Sequence, residues 1–195
     1  MRTNTTVRRT LIAALILSGY VLTVPAAHAT PTPRAAVASQ RADADQVALL
    51  KRSVADWNQW RTDNPSVKPD LTEADLAGAN LLGANLSAAD LTDATLTDTN
   101  LTETNLSDAK LRGVKATGAL LFSANLDNAD AQSANLEGAD LSNAKARHTI
   151  FASANLTRAK LHDADLAEAD LTGANLEGAD LSCINHPQCT SAPAG

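Results

Sequence analysis

The amino-acid sequence predicts an all-β solenoid with a short α-helical cap at its N-terminal end. A large apolar residue, nearly always Leu, recurs at every fifth position from Leu71 to Leu181. A small residue, usually Ala, stands two positions before most of these centres. In the segment that precedes the repeats, apolar residues recur at helical spacing instead.

A period of five residues fits neither regular secondary structure. In an α-helix, successive Leu would step by about 140° and spread around the whole circumference. In a straight strand, an odd step turns alternate Leu to opposite faces. The chain can keep every Leu inside only if it bends once per unit, which gives a coil of short strand-like edges. Such a fixed period is typical of a solenoid.

The repeated unit, as in Ala139-Asp140-Leu141 followed by two variable residues, resembles the motif of pentapeptide repeat proteins. The resemblance implies a right-handed quadrilateral β-helix with four units per coil, in which the centre and the residue two before it point inward. The twenty-three in-frame centres then make nearly six coils. Residues twenty apart stack, so one core column is entirely Leu: Leu81, Leu101, Leu121, Leu141, Leu161 and Leu181.

Some units depart from the consensus at inward positions. In another column the small Ala131 lies next to the large Phe151, a pairing that preserves core volume. Larger residues replace the small inward residue at five positions, where we expect local widening of the coil and no chemistry: Thr99, Thr104, Val114, Thr149 and Ile184.

Residues 1–29 have the features of a signal peptide. Arg8 and Arg9 lie in a positive start, and the apolar run from Leu11 to Val24 is too short and wrongly flanked for a membrane span. A small-x-small site predicts cleavage after Ala29, with a secreted or periplasmic product and no stable membrane insertion afterwards. An ordinary secretory route and a twin-arginine route both stay open.

Residues 30–41 read as a flexible linker, and residues 42–64 as a capping helix. The stretch from Leu50 to Arg61 contains both Trp residues and resembles a leader that often precedes the first coil in this family. Pro65 and Pro69 are expected to stop the helix. We interpret the helix as a cover for the open end of the core, since a bare solenoid end exposes sheet edges. An aromatic ligand site is the alternative.

The solenoid is predicted over 65–184 and a C-terminal tail over 185–195. The two cysteines of the chain, Cys183 and Cys189, lie six residues apart. In an exported protein a disulfide between them is expected. A metal site that adds His186 would lack a fourth protein ligand, so no metal is predicted.

The chain has a net charge of −6, and residues 71–181 contain seventeen Asp and Glu against seven Lys and Arg. The family resemblance suggests one use for an acidic rod: some cytoplasmic members mimic DNA and bind DNA gyrase. Export and the interspersed basic residues weigh against this function here. Nucleic acid is disfavoured as a partner.

No motif places a catalytic nucleophile or a cofactor, and His148 and His162 fall on outward positions. We therefore expect a non-catalytic scaffold or protein-binding module, with the acidic DNA mimic as the alternative. Leu82 is an outward apolar residue expected on the same side as Leu120 and Phe122, and Ile150 is one on another side. The candidate contact for a protein partner or a second copy is an edge with Leu120 and Phe122, expected near three basic residues: Lys110, Arg112 and Lys115.

Overall fold

The computed structural model describes residues 42–189, which belong to one compact unit of the chain, Ala38–Gly195. The predicted signal peptide, the linker up to residue 41 and the last six residues of the tail lie outside the described residues. Two α-helices, α1 (Ala44–Arg52) and α2 (Val54–Asp63), precede the repeats. Within residues 42–189, no helix combines the length and apolar content that a membrane crossing requires.

In place of the single helix predicted over 42–64, the chain forms two helices that meet at Ser53. The backbone of Ser53 is extended, with φ of −160°. Its N–H closes α1 on the carbonyl of Leu49, and its hydroxyl caps α2 by accepting from the N–H of Asp56 at 3.1 Å. Ser competes for backbone groups in this way and favours caps over helix interiors, which apolar periodicity alone does not register.

The repeats coil with four units per turn. Parallel bridges pair residues twenty apart from Asp70↔Asp90 to Lys160↔Asp180, each at the residue just before an apolar centre. Because each side of the coil contributes one bridged residue before the next corner, the bridges stay isolated and no continuous strand forms within residues 42–189. The all-β prediction is therefore met by bridges and corners, not by conventional strands.

Each corner is a four-residue turn. In the first one, the N–H of Ala74 donates to the carbonyl of Leu71 at 3.1 Å, and Glu73 has φ of 57°. A positive φ at the third residue is what a type II turn requires. Asp70 supports the corner by accepting from the N–H of Thr72 at 3.1 Å, which explains the preference for Asp or Asn before Leu.

Apolar centres fill the interior. Every centre from Leu71 to Leu166 is buried, whereas Leu171, Leu176 and Leu181 are only partly buried. An apolar cavity of about 10 Å³ lies among the middle coils, where Ala116 and Ala131 replace the usual Leu. The cavity is much smaller than the side chains that are missing, so the surrounding residues have largely closed the space, and its apolar lining offers no groups to hold a water molecule.

The larger inward residues are accommodated by hydrogen bonds as well as by space. Three buried hydroxyls donate to carbonyl oxygens 23 residues earlier: Thr99 to Leu76 (2.8 Å), Thr104 to Leu81 (3.1 Å) and Thr149 to Leu126 (2.8 Å). The donor–acceptor distance of the turn hydrogen bond is 3.4 Å at Thr149, against 3.0 Å at Ala144, so this turn is loosened at Thr149. The sequence did not predict these hydrogen bonds of the Thr hydroxyls.

Ile184 corrects the predicted register at the C-terminal end. Its bridge to Asp165 spans nineteen residues instead of twenty. A shift of one residue turns a side chain to the other side. Ile184 consequently points outward and is 44% exposed, while Cys183 takes the inward position and is buried.

Candidate functional site

The helices cover the N-terminal end of the coil with polar contacts as well as apolar surface. Trp57 is fully buried, and its Nε1 donates to the carbonyl of Asn85 at 2.8 Å. Asn58 accepts from the N–H of Asn85 at 2.8 Å, and Lys51 donates to the carbonyl of Asp75 at 3.1 Å. Trp57 is therefore not open to a ligand, and its contacts with the coil favour a cap.

Arg61 completes this cover with a buried charge. It donates to the carbonyls of Val67 at 2.6 Å and Ser87 at 2.9 Å, and no carboxylate pairs with it within residues 42–189. Burial lowers the pKa of the guanidinium from its ordinary value. Its Nε is buried without a hydrogen-bond partner within residues 42–189, so the carbonyl oxygens satisfy the donors of the guanidinium only in part.

Basic side chains on the shaft pair with carboxylates in the adjacent coil. A Lys before a centre reaches the Asp twenty residues earlier, and an Arg after a centre reaches the Asp eighteen residues later. The pairs are Lys110–Asp90 (2.9 Å), Lys160–Asp140 (3.2 Å), Arg112–Asp130 (3.3 Å) and Arg147–Asp165. Each exposed ion pair of this kind contributes little to the free energy of folding. The pairs therefore link neighbouring coils but do not dominate stability.

In the Lys110–Asp90 pair, burial and hydrogen bonding have opposite effects on the pKa of Asp90. Burial raises the pKa of this carboxyl, but hydrogen bonds from Thr92 and Lys110 outweigh burial and bring the pKa below its ordinary value. The same hydrogen bond raises the pKa of Lys110. The charged pair is therefore the form that the folded shaft stabilises.

The structure separates the basic residues of the predicted partner contact from its two apolar residues. Leu120 and Phe122 are neighbours, 47% and 44% exposed. The bridge register places Lys110 two units before Leu120, hence on the opposite side of a four-sided coil. Lys110 and Arg112 are also engaged in the ion pairs described above, and Lys115 lies on the intervening side. Stacking at twenty residues, not closeness in sequence, decides which side chains share a side. Leu120 and Phe122 alone stay a predicted contact.

The C-terminal end contains the disulfide between Cys183 and Cys189 that the sequence predicts. Beside it, an open depression of about 580 Å³ is bordered by His162, Asp163 and Ser182. His148 lies apart from it, against Glu168 at 3.3 Å.

His162 and Ser182 lie close together, as a catalytic base and its nucleophile would, but the hydroxyl of Ser182 is not activated. Nδ1 of His162 lies 3.0 Å from the hydroxyl oxygen of Ser182. That hydroxyl already donates to Asp180 at 2.6 Å. Thr92 makes the same bond to Asp90, so it belongs to the corners of the repeat. The proton that a base would remove is committed to the corner, and no activated nucleophile results. In the described part of the chain, no three His, Cys, Asp or Glu residues are grouped to hold a metal ion.

Charge is segregated along the shaft into three bands. Residues 69–109 contain eight Asp and Glu and no Lys or Arg, and residues 161–182 contain six and none. The central band, residues 110–160, contains seven Lys and Arg against four Asp and Glu. The surface is therefore acidic at both ends and slightly basic in the middle.

Comparison with known proteins assigns the family. The model of the family of pentapeptide repeats matches in eight copies, over residues 70–108, 104–145, 124–163 and 149–182. The chain belongs to the pentapeptide repeat family, whose members fold as right-handed quadrilateral β-helices.

Solved structures of pentapeptide repeat proteins resemble the chain. HetL, involved in heterocyst differentiation regulation in the cyanobacterium Nostoc sp. strain PCC 7120, is 34% identical over 63% of this chain and 66% of its own, with a TM-score of 0.40. The protein alr5209 from Nostoc PCC 7120 is 30% identical, over 63% of this chain and 94% of its own, with a TM-score of 0.25.

AT2G44920 from the thylakoid lumen of Arabidopsis thaliana is 30% identical over 57% of this chain and 64% of its own, with a TM-score of 0.23. The chain thus spans slightly less than two thirds of HetL and of the Arabidopsis protein. A search of curated protein sequences finds no match.

Proposed function

We propose that the chain is an exported, non-catalytic scaffold or protein-binding module, built on a right-handed β-helix of nearly six coils. The observation that carries this proposal is the filled interior: inward Leu and Ala occupy the axis from Leu71 to Leu166. A solenoid packed in this way offers rigid outer sides and two ends for contact, with the corners held by the repeat's own hydrogen bonds.

Export is part of the proposal. It is supported by the signal-like residues up to Ala29 and by the disulfide, which persists in oxidising compartments. The test is N-terminal sequencing of the protein from the medium or periplasm. A mature chain that starts at Thr30 is expected, and an intact Met1 in a cytoplasmic pool would overturn the export proposal.

Binding through an outer side is tested at Phe122. Mature protein and a Phe122→Asp variant are compared by light scattering and by pull-down from culture supernatant. A Ser142→Asp variant is the matched control, because Ser142 occupies the same column one coil later. Loss of self-association or of a captured partner in Phe122→Asp alone supports this contact. Equal behaviour of all three proteins removes it.

The alternative is an acidic DNA mimic that inhibits an enzyme such as DNA gyrase. The acidic end bands favour it, whereas the central band breaks the continuous negative potential that mimicry needs. A gyrase supercoiling assay separates the two functions. Inhibition that disappears at raised ionic strength would favour mimicry, and full activity at a large excess of the mature chain would exclude it.

A further inference from the structure

The hydrogen bonds between coils are not symmetric along the shaft. In each unit two N–H groups donate to the following coil and one donates to the preceding coil. In the first side, Leu71 donates to Asp90 and Glu73 to Thr92, whereas Asp90 donates back to Pro69, each at 2.8 Å. An open N-terminal end therefore presents mainly carbonyl groups, and an open C-terminal end presents mainly N–H groups.

The cover of the N-terminal end matches this polarity. The helices bring side-chain donors to its carbonyls, from Lys51, Trp57 and Arg61. The backbone N–H of Ala42 and of Asp43 add two more donors, at 2.9 Å each. Much of this acceptor-rich edge is thus covered by donors, and the helices occupy this end.

The C-terminal end has the opposite character. No bridge continues beyond the last coil within residues 42–189, so its sides, among them the two formed by residues 169–178, are an open edge. The core under this edge is partly exposed at Leu171 and Leu176, although Phe151 and Leu156, one coil earlier, are fully buried. Four N–H groups on these sides find no acceptor in that part of the chain: Leu171, Gly173, Leu176 and Gly178.

Charge indicates which occupant fits this edge. The surrounding band, residues 161–182, contains six carboxylates and no Lys or Arg, and only Asp165 among the six is paired with an Arg of the adjoining coil, Arg147. Hydrogen bonds from Thr172 hold the pKa of Asp170 below its ordinary value, and bonds from Ser182 do the same for Asp180. A second copy docked end to end would oppose two acidic bands and two donor-rich edges. A cationic segment with free carbonyl groups complements both features.

We propose that this C-terminal edge binds an extended, Lys- or Arg-bearing segment of a partner protein, which adds as a further pair of sides to the coil. Backbone carbonyls of the segment would accept from the four N–H groups, its apolar side chains would cover Leu171 and Leu176, and its cationic side chains would face the acidic band. This inference rests on the proposed function as a binding module and identifies the surface and partner chemistry.

The test uses the mature chain and two fluorescent 15-residue peptides, three copies of Ala-Lys-Leu-Ser-Gly and three copies of Ala-Glu-Leu-Ser-Gly. Fluorescence anisotropy at low ionic strength is expected to show saturable binding of the Lys peptide, weakened by salt, and none of the Glu peptide. A Glu168→Lys/Glu177→Lys variant changes two exposed carboxylates of the band. This variant should bind the Lys peptide with an affinity about tenfold or more lower than that of the wild type.

Amide hydrogen exchange distinguishes edge pairing from adhesion to an acidic surface. Bound Lys peptide should slow exchange at Leu171, Gly173, Leu176 and Gly178, and leave the acidic band at 69–109 unchanged. A charge-reversed control at the other end, Asp93→Lys/Glu103→Lys, should bind the Lys peptide as the wild type does.

Three results would overturn the proposal. The first is binding without protection of the four amides. The second is a symmetric dimer through this edge. The third is binding only by a chain shortened to end at Cys189, which would mean that the chain's own last residues occupy the edge. If the edge fails but the mature chain still captures a partner through Phe122, the proposed function stands and this inference alone is wrong.

Discussion

The stacking of Phe151 on Ala131 makes a quantitative prediction about the coil register. Both side chains are buried, at 0% and 1% exposure, and the bridge between Asp130 and Ile150 places them in one column, one coil apart. The large side chain therefore occupies volume that its small neighbour leaves. Replacing both by Leu would recreate the all-Leu column that the chain already tolerates between Leu81 and Leu161.

Each single change should destabilise the fold. Phe151→Leu loses roughly 1 kcal/mol through the smaller side chain and the space left behind. Ala131→Leu adds three carbons beside a cavity of about 10 Å³, which is too small for them, and overpacking costs about 1–3 kcal/mol. In the double variant the added volume enters the vacated space. Its destabilisation should fall short of the sum by about 1–2 kcal/mol, within the range for residues in contact.

Urea unfolding of the mature protein, followed by circular dichroism, measures the four free energies of the cycle. The control cycle combines Phe151→Leu with Ala116→Leu, a site 35 residues away in another column. Its two effects should add within about 0.5 kcal/mol. If the Ala131 and Phe151 pair is also additive within that limit, these two side chains are not stacked and the twenty-residue register in the middle coils is wrong.

Three further predictions concern the two ends of the shaft. Trp57→Phe removes the indole donor from the partly buried carbonyl of Asn85 and should destabilise the protein by about 1–3 kcal/mol, with Trp60→Phe as the half-buried control in thermal melts. Replacing Cys183 and Cys189 together by Ser should lower unfolding free energy by about 2 kcal/mol, and a wild type melted in reductant should match the variant. Burial opposes ionisation of Asp165, but hydrogen bonds led by those of Asn185 and Arg147 outweigh burial and lower its pKa. Its stabilisation is therefore complete above the unfolded-state pKa of about 4 and is lost as pH falls through the lower folded value, so Asp165→Asn should flatten the acid limb of stability against pH. An unchanged acid limb would contradict this assignment.

Much of the fold could be predicted because the repeat encodes it locally. Each Leu, each Ala two positions earlier and each Asp or Asn between them occupies a position that a single five-residue unit specifies. A helix break at Ser53 could not be predicted from periodicity, since the hydrophobic pattern continues across it and only the competition for backbone groups ends α1. The hydrogen bond of the Thr99 hydroxyl could not be predicted either, because its acceptor, the carbonyl of Leu76, lies 23 residues away in the chain.

The sequence by itself determined the inward and outward positions, the period, the paired cysteines and the acidic character of the repeats, because these are properties of one unit or of composition. Tertiary structure alone decided which outward residues share a side and which ends are open. Lys110 and Leu120 are ten residues apart in the chain and on opposite sides of the coil, whereas Lys110 and Asp90 are twenty apart and in contact. The physical reason is the closing of four units into one turn, which places each residue beside its counterparts in the adjoining coils and gives the two ends opposite backbone polarity.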